Sequence, residues 1–441
     1  MSPNISPTAR KVGGQANATS PRRGRQGERG FTLIEALVSL SIVVALLVGV
    51  LTLFDRNNQI ARAQTHIAQM QNALRVGQSD MMRYARMAGR GGLPRGALPT
   101  GIALGVRNDA PMDGDGRYIA FADTDSPLVV PGTDVLIIRG AISGSVYQVN
   151  PLAGGFQLDD VDAPTLGTVR VENPHSTTGI AQSLVPLVDA IRDDPHCALL
   201  LVSPVDTWTV VEIDASTSIT DDPDHVVVGF RVGTLGGPDV RDKYAELSNG
   251  FPTTLRNVAH VALLEENRYY VREERAIAGD GTSDLAPLLV KARFYPNTEI
   301  PHLTDPDFGD EVADNVFDLQ LALGIDVDGD GRVQEGSEDA GAVLTKADDE
   351  WLFNTADDVD GNGLPIDVLR WNPVTGTPAL AYVRITTLAR TDRRDAGYVA
   401  PLLGLIEDKD YRESPHDVFN TLGERRFRRR QQQTVVDMRN L

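Results

Sequence analysis

Phe31 to Phe54 read FTLIEALVSLSIVVALLVGVLTLF, a stretch in which Glu35 is the sole charge. At 1.5 Å per residue a helix of that length is about 36 Å long, enough to cross a hydrocarbon core of roughly 30 Å. Residues 1–29 are polar, basic and rich in Gly, Pro, Ser and Asn, with no periodicity. There Arg10, Lys11, Arg22, Arg23, Arg25 and Arg29 stand against Glu28, a balance of +5, and Asp55 follows the apolar run. The positive-inside rule therefore puts the N-terminus in the cytoplasm and the rest of the chain outside. A secretory signal peptide fits poorly, because the run is too long and no small-residue cleavage site follows it. Nor is Arg22-Arg23 a twin-arginine signal, since Gly-Arg-Gln-Gly comes next in place of an apolar stretch.

The helical pattern continues past the apolar run. Ile60, Ala63, Ile67, Met70, Leu74, Gly77, Met81, Tyr84 and Ala88 make a heptad seam, with Arg62, Gln64, Gln69, Gln71 and Arg83 off it. No proline falls between Phe31 and Leu93, so one helix is expected from about residue 31 to 88, ended by Gly89 to Pro94. Gly77 on the seam weakens a free-standing coiled coil. The amphipathic half, residues 55–90, is expected to pack on a sheet of its own chain.

Residues 95–441 read as a strand-rich globular part. Residues 134–139, 198–202 and 207–211 read as buried or half-buried strands. Phe317, Leu319, Leu321, Leu323 and Ile325 alternate with Asp318, Gln320 and Ala322, a period-2 run with one wet face, and residues 382–388 are a further strand. Gly/Pro/Asp-rich stretches separate these runs, so an antiparallel, twisted sheet is expected and not a doubly wound one. The fold class is α+β: a long N-terminal membrane-spanning helix packed on an antiparallel sheet, with residues 150–190 and 215–250 as turn-rich insertions. Net charge is −19, and removing the +5 of residues 1–30 leaves −24, which argues against a nucleic-acid surface. Cys197 is the only cysteine, so no intramolecular disulfide can form.

Glu35 needs a reason to be where it is, because a carboxylate in a membrane helix costs roughly 2.5–3.5 kcal/mol. The string Arg29-Gly30-Phe31-Thr32-Leu33-Ile34-Glu35 resembles the prepilin cleavage motif. The resemblance implies that residues 1–30 are a leader removed after Gly30 by a prepilin peptidase, and that the new Phe31 amine is methylated. It also implies that Glu35 offsets the amino-terminal charge of a neighbouring subunit during filament assembly. Shorter segments resemble the PilW family of minor pilins: Gln71 to Gly89, Gly132 to Leu136, Asn315 to Gln320 with Gly324 to Asp326, and Val436 to Leu441. That implies a minor pilin at or near the tip of a type IV pilus, helping to initiate assembly. Its partners would be other minor pilins and the major pilin, with the globular part in the periplasm and then on the filament. The J-type minor pseudopilin of a type II secretion system shares the N-terminal motif and is the alternative. Many pilins close a C-terminal loop with two cysteines, and this chain cannot.

Two acidic loops, 326–339 and 358–367, suggest calcium. Asp326, Asp328 and Asp330 have the D-x-D-x-D-G spacing, with the Arg332 carbonyl and Gln334 following and Glu335, Glu338 or Asp339 to close the site. Ser337 stands at the twelfth position and neither flank is helical, so this is not an EF-hand. Asp358, Asp360 and Asn362, with Asp367 nearby, form a weaker copy; the competing reading is that these Asp-Gly runs are solvated turns, and calcium is favoured over it at the first loop only. Asp113 to Gly116 reads as a turn. No catalytic motif is present, so a membrane-anchored periplasmic enzyme or binding protein lacks a candidate site. Arg425, Arg426, Arg428, Arg429 and Arg430 read as a solvated edge strand or turn, not as a phosphate-binding patch.

Overall fold

The computed structural model describes residues 31–93, 103–108, 128–130, 132–149, 154–160, 165–173, 184–193, 197–204, 207–214, 221–222, 225–232, 244, 247–249, 257–277, 283–298, 302, 309–326, 332–334, 351–353, 379–395, 397–413 and 416–438. Two compact units divide after Arg62. Helix α1 runs from Leu33 to Met87.

The start of α1 is a reciprocal cap. Thr32 precedes the first helical residue, and its Oγ1 accepts from the Glu35 backbone N–H at 3.3 Å. The Glu35 carboxylate in turn accepts from the Thr32 backbone N–H at 3.0 Å and from Thr32 Oγ1 at 2.9 Å. Thr at the cap and Glu three residues on satisfy donors that the helix itself leaves open. The other end stops at Gly89, which takes φ +79° and donates its N–H to the Arg139 carbonyl at 2.9 Å. Only glycine enters that region without cost.

In chain order the strands are β1 (Leu104–Arg107), β2 (Leu128–Val129), β3 (Val135–Gly140), β4 (Val146–Gln148), β5 (Phe156–Leu158), β6 (Leu166–Glu172), β7 (Ala198–Val202), β8 (Trp208–Ile213), β9 (Asp221–Asp222) and β10 (His225–Arg231). They continue as β11 (His260–Ile277), β12 (Ser283–Phe294), β13 (Asp310–Asp314), β14 (Val316–Asp326), β15 (Trp351–Leu352), β16 (Ala379–Arg390), β17 (Leu405–Ile406), β18 (Lys409–Asp410) and β19 (Arg429–Asp437), with helix α2 at Val185–Asp193. Every strand ladder among the described residues is antiparallel. The larger sheet follows the order β1-β3-β11-β7-β8-β10-β6-β5, and the smaller is β15-β14-β16-β19. Strand β11 is shared along its length: His260 to Leu264 pair with β7, whereas Glu265 to Tyr269 pair with β3. Asp134 joins the two sheets, donating its N–H to the Leu319 carbonyl at 2.9 Å and accepting from the Leu321 N–H at 2.7 Å.

The seam of α1 from Met70 onward supplies one wall of the main core. Met70, Leu74, Met81, Ala85 and Ala88 pack with Leu136, Tyr269, Leu289, Leu319, Leu321 and Ile385. Gly77 lets helix and sheet approach closely, since a Cβ there would sit 2.9 Å from the Leu289 methyl group. Gln78 is buried off the expected seam: its amide donates to the Gln432 carbonyl at 2.7 Å and to Thr387 Oγ1 at 3.2 Å, and accepts from Thr434 Oγ1 at 2.6 Å. One polar side chain thereby pins the helix to β16 and β19.

Two expectations change. The run over β14 has no wet face, because Asp318 and Gln320 are as buried as Leu319 and Leu321. Residues 150–190 and 215–250 are not merely turn-rich insertions, because β5, β6, β9, β10 and the start of α2 lie in them. Val169, Val171, Val226, Val228 and Phe230 form a second core there with Leu199, Leu201 and α2 residues Leu187 and Val188.

Candidate functional site

The N-terminal unit presents an apolar column. The large aliphatic and aromatic side chains from Phe31 to Phe54 are each between 47% and 85% exposed. By length and composition this part of α1 can cross a membrane. Surface of that kind is stable only in lipid or against other helices. Phe31 stands at its end with Thr32 and Glu35 one turn in, and the Glu35 carboxylate is occupied by the cap. Gly30 lies outside the described residues.

The loop between β16 and β19, residues 391–428, is a strap laid over the smaller sheet. Its ends are tied together by Thr391 N–H to the Arg428 carbonyl at 2.9 Å, Asp395 N–H to Arg426 at 2.8 Å and Ala400 N–H to Arg425 at 2.6 Å. Between them the β17–β18 hairpin drives charged side chains into the sheet. Lys409 Nζ donates to Asp318 Oδ2 at 3.0 Å and to the Gly132 carbonyl at 2.7 Å, both side chains being fully buried. Burial pushes the Asp318 carboxyl above its ordinary value, and the Lys409 charge opposes that rise. Glu407, in the left-handed region at φ +52°, accepts from Arg384 at 2.6 and 3.0 Å, Thr386 at 2.7 Å and Gln433 at 2.9 Å. A non-glycine residue held there costs of order 1–3 kcal/mol, and four charge-assisted bonds hold it. This cover is why β14 shows no wet face. It also does by ion pairs what a chain with one cysteine cannot do by a disulfide.

The arginine cluster is built into that strap. Arg425 donates to the Ala400 carbonyl at 2.8 Å, Arg428 to Asp395 at 2.8 Å, and Arg429 to the Phe419 carbonyl. Arg390 pairs with Glu424 and lies over the Phe427 ring at 4.4 Å. Residues 429 and 430 open β19, which ends the smaller sheet, as the edge-strand reading expected; Arg425 and Arg428 are structural rather than simply solvated, and Arg426 is exposed.

Of the acidic-loop residues, Asp326 closes β14, and Arg332 and Gln334 are described after it. Val333 returns to that strand, since a Cβ on Gly324 would lie 3.1 Å from its Cγ1. Asp113 to Gly116, Asp328, Asp330, Glu335, Glu338, Asp339, Asp358, Asp360, Asn362 and Asp367 lie outside the described residues. Among the described residues no three His, Cys, Asp or Glu side chains converge as metal ligands.

Sequence reasoning missed a buried ionic centre at the point where β11 passes from one set of partners to the other. Glu266 accepts from Arg139 Nε and Arg268 Nε, each at 2.6 Å, and from the Asn297 N–H at 2.9 Å. Burial drives this carboxyl upward, but the two guanidinium groups win and hold it at about 2. Beside it Glu265 takes the Ser143 N–H at 2.5 Å and Arg293 at 2.9 Å, at one end of a cavity of about 240 Å³ that also holds Cys197 and His302. Of the two carboxylates that line the cavity, Asp189 and Glu265, the latter is thus committed to its neighbours.

Residues 25–51 match the prokaryotic N-terminal methylation motif. The chain is type IV pilin-like. The match spans the Gly30–Phe31 junction, Glu35 and most of the apolar column. A pilin-like chain of this kind belongs with structural proteins that are anchored in a membrane and handled by the prepilin-processing machinery and pilus components. No curated protein and no solved structure gives a match.

Proposed function

We propose that this protein is a minor pilin of a type IV pilus, similar to the PilW family, that helps to start the filament and sits at or near its tip. It acts as a structural subunit and not as an enzyme, with other minor pilins and the major pilin as partners. The observation that carries the reading is the methylation motif laid over a capped, lipid-length apolar helix that continues unbroken to Met87. Processing after Gly30 would leave Phe31 as the amino terminus and make residues 1–30 a leader. The globular domain would face the periplasm before assembly. Mass spectrometry of the membrane-derived protein tests processing: a methylated Phe31 terminus is expected, and an intact start upstream of Arg22 beside an active prepilin peptidase overturns it. Deleting the gene tests the filament type. Loss of surface pili supports the reading, while normal piliation with failed protein secretion favours a J-type pseudopilin.

We further propose that loops 326–339 and 358–367 bind calcium, with oxygens of Asp326, Asp328, Asp330, Arg332 and Gln334 in the first and Asp358, Asp360 and Asn362 in the second. The return of Val333 onto Gly324 supports the first loop, because it brings the chain back beside Asp326. An ion binding only the folded state adds about 2.7 kcal/mol when a hundredfold above its Kd. The processed protein should melt higher in millimolar calcium than in chelator, and Asp328→Ala or Asp330→Ala should remove most of the difference. Identical melting in both conditions overturns the proposal.

A further inference from the structure

Lys409 and Asp318 meet with both side chains fully buried. Lys409 Nζ stands 3.0 Å from Asp318 Oδ2, so the carboxyl carbon Cγ is the next atom beyond. The other carboxyl oxygen, Oδ1, accepts from Gln320 Nε2 at 3.0 Å, and Nζ also donates to the Gly132 carbonyl at 2.7 Å. Around Nζ the surroundings are otherwise aromatic, with the Tyr411 and Phe419 rings 5.1 and 5.8 Å away. An ammonium group carries three N–H donors. Among the described residues two oxygens receive them, Asp318 Oδ2 and the Gly132 carbonyl. A charged pair in such a place bears the desolvation penalty of both ions. Moving one proton from Nζ to Oδ2 removes both charges, and burial already pushes the Asp318 carboxyl above its ordinary value.

The neutral pair is an amine against a carboxylic acid, and its setting suits an amide better than an ion pair. An amide joining Nζ to Cγ keeps one N–H and one carbonyl oxygen, Oδ1. The Gly132 carbonyl stands ready to accept from that N–H, and Gln320 Nε2 already donates to Oδ1, so each polar group of the product has its partner in place. We propose that Lys409 and Asp318 condense into an intramolecular amide that ties the strap to β14. The Nζ lone pair attacks Cγ, and an electron pair of the C=O bond moves to Oδ1, where the Gln320 N–H stabilises the charge. As that double bond re-forms, the Cγ–Oδ2 bond breaks. Oδ2, carrying its first proton, receives a second from Nζ and departs as water; nothing else is consumed. Contact between the two groups replaces a chance encounter of separate reactants. With an amide donor at Oδ1 in place of an acid, the condensation is slow, and its extent should grow with the age of the folded protein. The bond gives a chain with one cysteine a covalent tie that a disulfide cannot supply, and it does not depend on the filament reading.

Peptide mapping by mass spectrometry of the protein isolated from membranes, then denatured, tests the bond. A linked pair of peptides is expected, one holding Asp318 and the other Lys409, lighter than their sum by one water. Its yield should rise when the folded protein is incubated below its melting transition. Chains kept in denaturant throughout should give no linked pair, and a bond that forms there equally well would overturn the assignment to this folded site. Gln320→Leu keeps both reacting groups and should slow the appearance of the linked pair by roughly a hundredfold. An unchanged rate in that variant removes Gln320 from the mechanism. Separate Asp318 and Lys409 peptides at full yield, from incubated parent protein that still shows its melting transition, overturn the proposal.

Discussion

Three buried charges explain more of this molecule than their neighbours in sequence suggest. Glu266 between Arg139 and Arg268 is a triad in which removing one member leaves the others buried without balance. Glu266→Gln should cost about 3–5 kcal/mol, read as a fall in denaturation midpoint at neutral pH. The acid response follows from the same group. Its folded pKa of about 2 lies below the ordinary 4.5, so its contribution is complete above 4.5 and is lost as pH falls toward 2. His416 acts in a higher window, because burial and then the Lys409 charge lower it from 6.5 to about 4, with Asp417 opposing. Neutral His416 therefore contributes stability above pH 6.5 that drains away toward pH 4. His416→Gln should flatten the stability profile between those values and leave the lower window unchanged. The same charges hid strand β11 from the sequence reading. Its segment Leu264-Glu265-Glu266-Asn267-Arg268 looks like a solvated turn until each charge is seen to have a buried partner.

At the scale of elements, α1 was almost fully legible, from its start to the glycines that end it. Apolar spacing, the absence of proline and the terminal Gly run are local signals, and they need no tertiary information. The burial of Gln78 was not legible, because a glutamine shows its value only when strands far along the chain supply partners. Glu35 carries two roles that substitution can separate. Glutamine can still close a capping box, whereas alanine cannot. Glu35→Gln and Glu35→Ala should both leave cleavage intact and both reduce recovery in sheared filaments, if the charge matters for assembly. Normal recovery of the Gln variant alone would assign the residue to the cap. Gly77 gives a packing test. Gly77→Ala should be near neutral, since about 1 kcal/mol of helix propensity offsets a small shift of Leu289. Gly77→Leu should cost about 1–3 kcal/mol by overpacking, seen in the melting temperature.

For the whole molecule, the strap decides which face of the smaller sheet is dry. Asp318 and Gln320 read as polar positions, correctly, but not as covered ones, because their cover lies far along the chain at Lys409. Lys409→Met alone should destabilise by about 3–5 kcal/mol, while Asp318→Leu with Lys409→Met should recover much of that loss. A double-mutant cycle by denaturant measures the difference, and equal losses for single and double variants would count against the pair as the latch.

Strand β11 has a consequence of a different kind. It lends its first five residues to one set of neighbours and its later ones to another, and its own Tyr269 Oη donates to the Asp80 carboxylate of α1 at 2.7 Å. The β1–β3 side of the larger sheet cannot part from the β7–β8 side without breaking a ladder on this strand. Hydrogen exchange should therefore find the amides of Leu263 to Tyr270 among the slowest, opening only when the domain melts as one cooperative unit. An unfolding intermediate that keeps one half of that sheet should not be populated.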